Sequence, residues 1–272
     1  MSAVLRPSAS EDEYVVYAVR YASRDGVRAQ HFHHWTPRYD EEHATAYYVW
    51  VLRSATRTLL VDAGISPARA AAADGIDYVG SPAELMRDLG VAASEVEAVV
   101  LTHLHYDHVG TAGDFEAASL HLQRAELEYW ESDTARRNHR ESWLSDPEDR
   151  VRLRAGASSG RVVLEDGDRE IAPGVSVHLV GGHTPGMQVV RVVTPAGVVV
   201  IASDASHYYE NIEEDRPFAI LHDVPGMYAA FDRIAELAGE VPVVLPGHDP
   251  AVLTRHPRLG GTAIDVAVVG ER

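Results

Sequence analysis

The sequence carries one dense cluster of side chains able to hold metal ions, His103-Leu104-His105-Tyr106-Asp107-His108, closed by Gly110. In a turn leaving a strand, His103 and His105 can point to one side while Asp107 and His108 reach toward a second point, so one cluster can serve two ions. The chain has no cysteine, which excludes thiolate ligands, disulfides and a cysteine nucleophile. Any metal must therefore be bound through nitrogen and oxygen, a donor set that suits zinc, iron(II), cobalt or manganese without choosing among them. Two divalent ions side by side lower the pKa of a shared water and polarise a carbonyl, so the chemistry expected is hydrolysis. No G-x-S-x-G elbow offers a serine alternative.

Three more polar residues follow strand-like runs. His183 comes after residues 177–180 through Gly181-Gly182, Asp204 after residues 198–202, and His248 after residues 243–245 through Pro246-Gly247. Each sits at the carboxyl end of its strand, as a site gathered along one edge of a sandwich requires. The isolated His121, His139, His178, His222 and His256 read as structural or surface residues. His31, His33 and His34 are poorly spaced for a further metal.

The elements that must position these residues are legible as hydrophobic pattern. Residues 14–21, 46–53 and 58–62 are short runs rich in Val, Tyr and Leu and read as a first sheet. Ser81-Pro82-Ala83-Glu84 combines an N-cap, a first-turn proline and a capping-box glutamate, and Gly90 supplies the stop. Residues 96–101 form an apolar strand running into the histidine loop. Residues 124–131 read as a helix, and the charged stretch 133–150 as a solvated insert or surface helix. Strands are expected again at 161–164, 175–180, 188–193 and 198–202. They precede an amphipathic helix over 227–238 with Tyr228, Phe231, Ile234 and Leu237 on its buried face. Residues 263–269 read as an apolar tail. No linker or repeat divides the chain, so one domain over 1–272 is expected, with 1–13 a flexible arm. The implied architecture is an α+β fold of the αββα type, two mixed β-sheets packed face to face and flanked by helices.

The formal net charge of −17 argues against nucleic acid or an anionic membrane as partner, and every basic side chain is arginine. No stretch approaches the length of a membrane span, and the polar amino terminus lacks the apolar core of a secretion signal. A cytoplasmic location is the resulting expectation.

The order His103-x-His105-x-Asp107-His108, then His183, Asp204 and His248, resembles the metallo-β-lactamase superfamily over essentially the whole chain. The resemblance implies one metal held by His103, His105 and His183, a second by Asp107, His108 and His248, and Asp204 bridging them. It also implies that Asp62, in Leu60-Val61-Asp62-Ala63-Gly64, supports the ligands from behind. Missing cysteine sets the chain apart from the main zinc β-lactamases, and its charge from the nucleic-acid-processing members.

The segments Ser203-Asp204-Ala205-Ser206-His207-Tyr208-Tyr209 and Pro246-Gly247-His248-Asp249-Pro250 look most like the N-acyl homoserine lactonase branch. That branch places a tyrosine three residues after the bridging aspartate to donate a hydrogen bond to the lactone carbonyl. Here that position is His207, with Tyr208 next, so either is a candidate donor. Asp107 is the candidate for delivering a proton to the leaving oxygen. The expected reaction is opening of a lactone ring, with a small acylated homoserine lactone as partner and two divalent ions, zinc foremost, as cofactors. A homodimer is compatible with the sequence. Rival readings are a pyridoxolactonase-like or thioester-cleaving hydrolase and a non-catalytic ligand sensor. The loop 30–37, with Phe32 and Trp35, is either a flap over an acyl chain or ordinary packing.

Overall fold

The computed structural model describes residues 3–35 and 38–271. Period-two burial organises it. On β1 (Val15–Arg24) and β2 (Thr45–Arg53), Tyr17, Val19, Val49 and Val51 face one apolar layer, whereas Val16, Ala18, Tyr48 and Trp50 face another. These strands are buried on both sides because each side meets a different partner.

The remaining strands of the first sheet are β3 (Thr58–Val61), β4 (Ile76–Tyr78), β5 (Ala98–Val100), β6 (Ser119–Gln123) and β7 (Val162–Glu165). The second sheet comprises β8 (Arg169–Ala172), β9 (Val175–Leu179), β10 (Gln188–Thr194), β11 (Gly197–Ser203) and β12 (Val243–Pro246). A last strand, β13 (Val266–Val269), returns to the first sheet. Among the described residues the first sheet runs β13-β1-β2-β3-β5-β6-β7, with β4 also on β1, and the second β12-β11-β10-β9-β8.

Trp50, Leu52, Leu59 and Val100 pack against Val177, Val190, Val192 and Ile201 between the two sheets. Outside the first sheet, Leu60, Val99 and Leu122 meet helical Leu85, Met86, Leu127 and Leu153; outside the second, Val189, Val200 and Ala202 meet Ile234 and Ala238. The expected αββα sandwich is thus the observed one.

Parallel pairing sets the site. β3, β5 and β6 run parallel, with Val61 opposite Val100, so Asp62 and the histidine loop leave the sheet side by side. In the second sheet β11 and β12 are also parallel, with Ser203 opposite Pro246, which brings Asp204 next to His248.

Several expectations change. The apolar tail is the strand β13, antiparallel to β1 with Val269 opposite Val16. The charged stretch 133–150 holds a short helix (Asp133–Arg137) and the start of a longer one (Pro147–Ser159). The later helix begins earlier than expected, at Val224, and its buried face is Met227, Ala230, Phe231, Ile234 and Ala238. Tyr228 points outward, 37% exposed, and Leu237 is only half-buried, since the face that meets the sheet is rotated by one position. The amino-terminal segment, expected to be flexible, is tied down over its described part. Leu5 is fully buried and its N–H donates to the Leu89 carbonyl at 3.0 Å, while Ser8 N–H donates to that of Arg53 at 3.1 Å. A short apolar run, Ala3-Val4-Leu5, in an otherwise polar terminus is a weak sequence signal, yet here Leu5 is buried beside Leu89.

Truncating that side chain tests whether the arm is structural: Leu5→Ala is expected to lower stability by about 2–5 kcal/mol in a denaturant titration. A change within about 0.5 kcal/mol, the size typical of a surface position, would return the segment to the status of a loose arm.

Candidate metal centre

Asp62 is the hub behind the site. It is fully buried and accepts four hydrogen bonds: from Thr102 N–H at 2.8 Å, Thr102 Oγ1 at 2.9 Å, His108 Nδ1 at 2.8 Å and Ser203 Oγ at 3.1 Å. It therefore joins the end of β3, the loop after β5 and the end of β11.

Three further imidazoles are anchored in the same manner, through the nitrogen that faces away from the centre, whereas His105 turns its Nδ1 toward His183 Nε2 at 3.0 Å. His183 Nδ1 donates to the Ile220 carbonyl and His248 Nδ1 to that of Ala46, each at 2.9 Å, while His103 Nδ1 bonds Thr102 Oγ1 at 3.0 Å. Fixing the outer nitrogen fixes both tautomer and ring orientation. Each of these rings then turns Nε2 inward. Asp107 is held through its backbone carbonyl, which accepts from the Tyr21 phenol at 2.7 Å.

All seven side chains singled out in the sequence converge. His103, His105, His183 and Asp204 form one group and Asp107, His108 and His248 another; within each, the candidate ligand atoms lie within 4.8 Å of one another. Asp204 faces both. Its Oδ2 lies 3.7 Å from His103 Nε2 and 3.4 Å from His183 Nε2, and its Oδ1 lies 3.4 Å from His108 Nε2 and 3.0 Å from His248 Nε2. This approach requires Gly247, because a Cβ there would sit 2.5 Å from Asp204 Oδ1.

The donor set fits metal ions on three counts. Ligands about 2.0–2.1 Å from a tetrahedral zinc are spaced about 3.3 Å apart, the scale of the spacings just given. His103 Nε2, His108 Nε2 and Asp204 Oδ1 are buried with no hydrogen-bond partner, an expensive arrangement unless a cation satisfies them. Burial also pushes the imidazoles of His103 and His105 well down and that of His183 to about 3, so they keep the free lone pair that a ligand needs. Burial lowers His108 and His248 too, but the carboxylates of Asp204 and Asp107 outweigh it and hold both up.

The two candidate donors separate. His207 enters the site: Nε2 lies 2.9 Å from Asp204 Oδ2, and its ring stacks on Phe218 at 3.5 Å and 8°. With Asp204 and His248 it forms a third possible ligand group. Tyr208 does not enter. Its hydroxyl bonds Thr45 Oγ1 at 2.9 Å, its ring packs among His31, Phe32, His43 and Phe218, and it is absent from the cavity wall. Being one residue further along an extended turn sends its side chain the other way, so its expected place beside the site is corrected.

The centre opens into a cavity of about 270 Å³. Trp143, Leu144, Phe218 and Ile220 give it an apolar wall, and Arg24, Gln30, Tyr47 and Tyr106 a more polar one. Sequence reading missed six of these contributors, Trp143, Leu144, Phe218, Ile220, Arg24 and Tyr47. Trp143-Leu144 was the one bulky apolar pair in the charged 133–150 stretch, and Tyr47 shares a strand face with Thr45. Of the 30–37 loop, Gln30 and His31 line the cavity and Phe32 is buried against the Phe218 segment, whereas Trp35 is 77% exposed; Thr36 and Pro37 lie outside the described residues.

The family model of the metallo-beta-lactamase superfamily matches residues 43–248, well over half of the chain and the whole run of site residues from Asp62 to His248. The chain belongs to the metallo-beta-lactamase superfamily. Among superfamily relatives, an N-acyl homoserine lactonase of Bacillus cereus is 29% identical over 167 residues, 61% of this chain and 60% of that protein. The lactonase AiiB of Agrobacterium fabrum is 31% identical over 179 residues, 61% of each chain. The match thus spans about three-fifths of the length of these relatives. Similar folds include an AiiA variant of B. thuringiensis with N-decanoyl-L-homoserine bound at the active site. It superposes with a TM-score of 0.72 at 20% identity, over 90% of this chain and 96% of that one. AidC, a dizinc quorum-quenching lactonase, gives 0.69 at 16% identity, over 100% and 98%. No helix among the described residues is long and apolar enough to cross a membrane.

Because four donors converge on Asp62, Asp62→Asn leaves at least one of them facing an amide N–H. Metal affinity is expected to fall about 10–100-fold, measured by competition with a chromophoric chelator. Wild-type affinity in a folded variant would show that Asp62 does not hold the ligands in place.

Proposed function

We propose that this chain is a dinuclear metal-dependent hydrolase that opens a lactone ring, with an N-acyl homoserine lactone as substrate and zinc as the foremost metal. One observation carries the reading: two groups of buried His and Asp side chains share the two oxygens of Asp204 on the floor of a cavity with an apolar wall. The relatives named N-acyl homoserine lactonase support it.

His103, His105 and His183 would hold one ion and Asp107, His108 and His248 the other, with Asp204 between them. Bound there, the pair would supply Lewis acidity and an activated water. The chain's own residues do the rest. Trp143, Leu144 and Ile220 receive the acyl chain, burying its methylenes at about 0.8 kcal/mol each. Charge develops on the lactone carbonyl oxygen as water adds, and His207, on the cavity wall, donates a hydrogen bond to it. As the ring C–O bond breaks, the departing alkoxide needs the proton that the water gave up; Asp107, on the same wall, accepts that proton and passes it on. The product is a hydroxy acid whose carboxylate carries the lactone carbonyl oxygen and one oxygen from water, the former ring oxygen becoming the hydroxyl.

Elemental analysis of purified protein is expected to find about two transition-metal ions per chain, and a panel of lactones, thioesters and phosphoesters to show fastest turnover on acylated lactones. Active protein without metal, or preference for a thioester or phosphoester, would overturn the reading.

Substitutions separate the roles. Asp204→Asn should weaken binding of both ions, whereas Asp107→Asn should retain metal and lose most turnover, since an amide does not carry the proton. His207→Ala is expected to lower kcat about 10–100-fold, roughly 1.4–2.7 kcal/mol, and Tyr208→Phe to change it less than about threefold. The reverse ranking would restore the donor role to Tyr208.

A further inference from the structure

Glu126 sits on the helix Arg124–Glu131, 0% exposed, in a region that the chemistry above does not use. Its Oε1 accepts from the Leu104 N–H at 3.0 Å and from the Trp130 indole N–H at 2.8 Å, and its Oε2 from the Gly186 N–H at 2.9 Å. Leu104 lies between His103 and His105. Gly186 lies three residues beyond His183, in the loop between β9 and β10. One carboxylate therefore grips both loops that supply the first metal-binding group. The loop rests directly on the helix, since a Cβ at Gly186 would collide with the backbone and Cβ of Glu126. Trp130 adds a second contact, meeting the His105 ring edge-to-face at 5.6 Å.

The charge is as informative as the contacts. A carboxylate withdrawn from water is costly unless a cation compensates it, and no arginine or histidine pairs with Glu126 among the described residues. Burial pushes its carboxyl up from the ordinary range, while the Thr184 hydroxyl and the N–H donors of Leu104, Trp130 and Gly186 pull it back. The N–H groups of Leu104, Trp130 and Gly186 only donate, and the Thr184 hydroxyl can donate too, so the pocket favours the ionised form. Of the first group, the three imidazoles are neutral and the one carboxylate, Asp204, is shared with the second group. A divalent cation held by three neutral ligands and a share of one carboxylate keeps excess positive charge, which a nearby fixed anion offsets.

We infer that Glu126 is a positioning residue for one half of the centre: it aligns His103, His105 and His183 and offsets the charge of the ion they would hold. Asp62, by contrast, reaches both halves, directly through His108 and by way of Thr102 to His103. The inference rests on the metal-centre reading above.

The test measures the two stepwise zinc affinities by chelator competition in the full chain. Glu126→Gln keeps shape and one acceptor but removes the charge and turns a donor toward a donor. One affinity is expected to fall about 10–100-fold and the other to stay within about threefold. A double-substitution cycle assigns the site: Glu126→Gln should add nothing to His183→Ala, which already disables the first group, and should act in full on His248→Ala. The melting temperature of the metal-free protein is the control, because a merely structural role would lower it and leave the affinity ratio unmoved. Equal loss at both sites, no loss at either, or an effect that persists in His183→Ala overturns the inference. If Glu126→Gln does not fold, Trp130→Phe removes one donor and keeps the charge; a few-fold loss confined to the same site supports the role, and unchanged affinity overturns it. Wild-type protein that binds no zinc would instead refute the metal centre itself.

Discussion

Four hydrogen bonds into the Asp62 carboxylate hold three separated parts of the chain at one point. Asp62 and Ser203 both have positive φ, 60° and 45°, a conformation that costs a side-chain-bearing residue about 1–3 kcal/mol. A hydrogen bond to a charged group contributes about 1.5–3 kcal/mol, so four of them outweigh the strain at both strand ends. The turns that aim the site are kept by this carboxylate rather than by their own preference.

Around that point the two sheets divide the labour. The first gives His103, His105, Asp107 and His108 from one loop, and the second gives His183, Asp204 and His248 from three. Parallel neighbours in each sheet deliver residues side by side without a long loop: Asp62 beside the segment after β5, Asp204 beside His248. Four of the imidazoles, His103, His108, His183 and His248, are backed by a partner on the far side, so their orientation comes from the scaffold and precedes any ion.

The sequence made the donor set legible because chemistry of this kind is concentrated: His103 to His108 stand out in any reading, and strand-end positions pick His183, Asp204 and His248 out of fifteen histidines and many acids. The sandwich followed from apolar runs of strand length. What pattern left open was direction. His207 and Tyr208 are adjacent, and only the turn after β11 decides which faces the cavity. Glu126 looked like one more acid on a charged helix; nothing in a linear pattern reports that its carboxylate meets two distant backbone N–H groups. Trp143 and Leu144 were hidden by the charges around them, and Tyr228 by an outward rotation of the helix of a single position. The tail became β13 because its partner, β1, lies about 250 residues earlier, beyond any local window.

The division of the ligands between the sheets has a consequence for how the protein forms. Each group of ligands draws on both halves of the sandwich: His103 and His105 need His183, and Asp107 and His108 need His248. A chain in which one sheet has formed and the other has not offers neither ion a complete set. Metal capture would therefore be a late event that senses the docking of the two halves, and its binding energy would accrue to the finished fold alone. An ion in place would certify that residues far apart in the chain, from β5 to β12, have found one another, so occupancy would be a check on folding as well as a condition of the proposed chemistry.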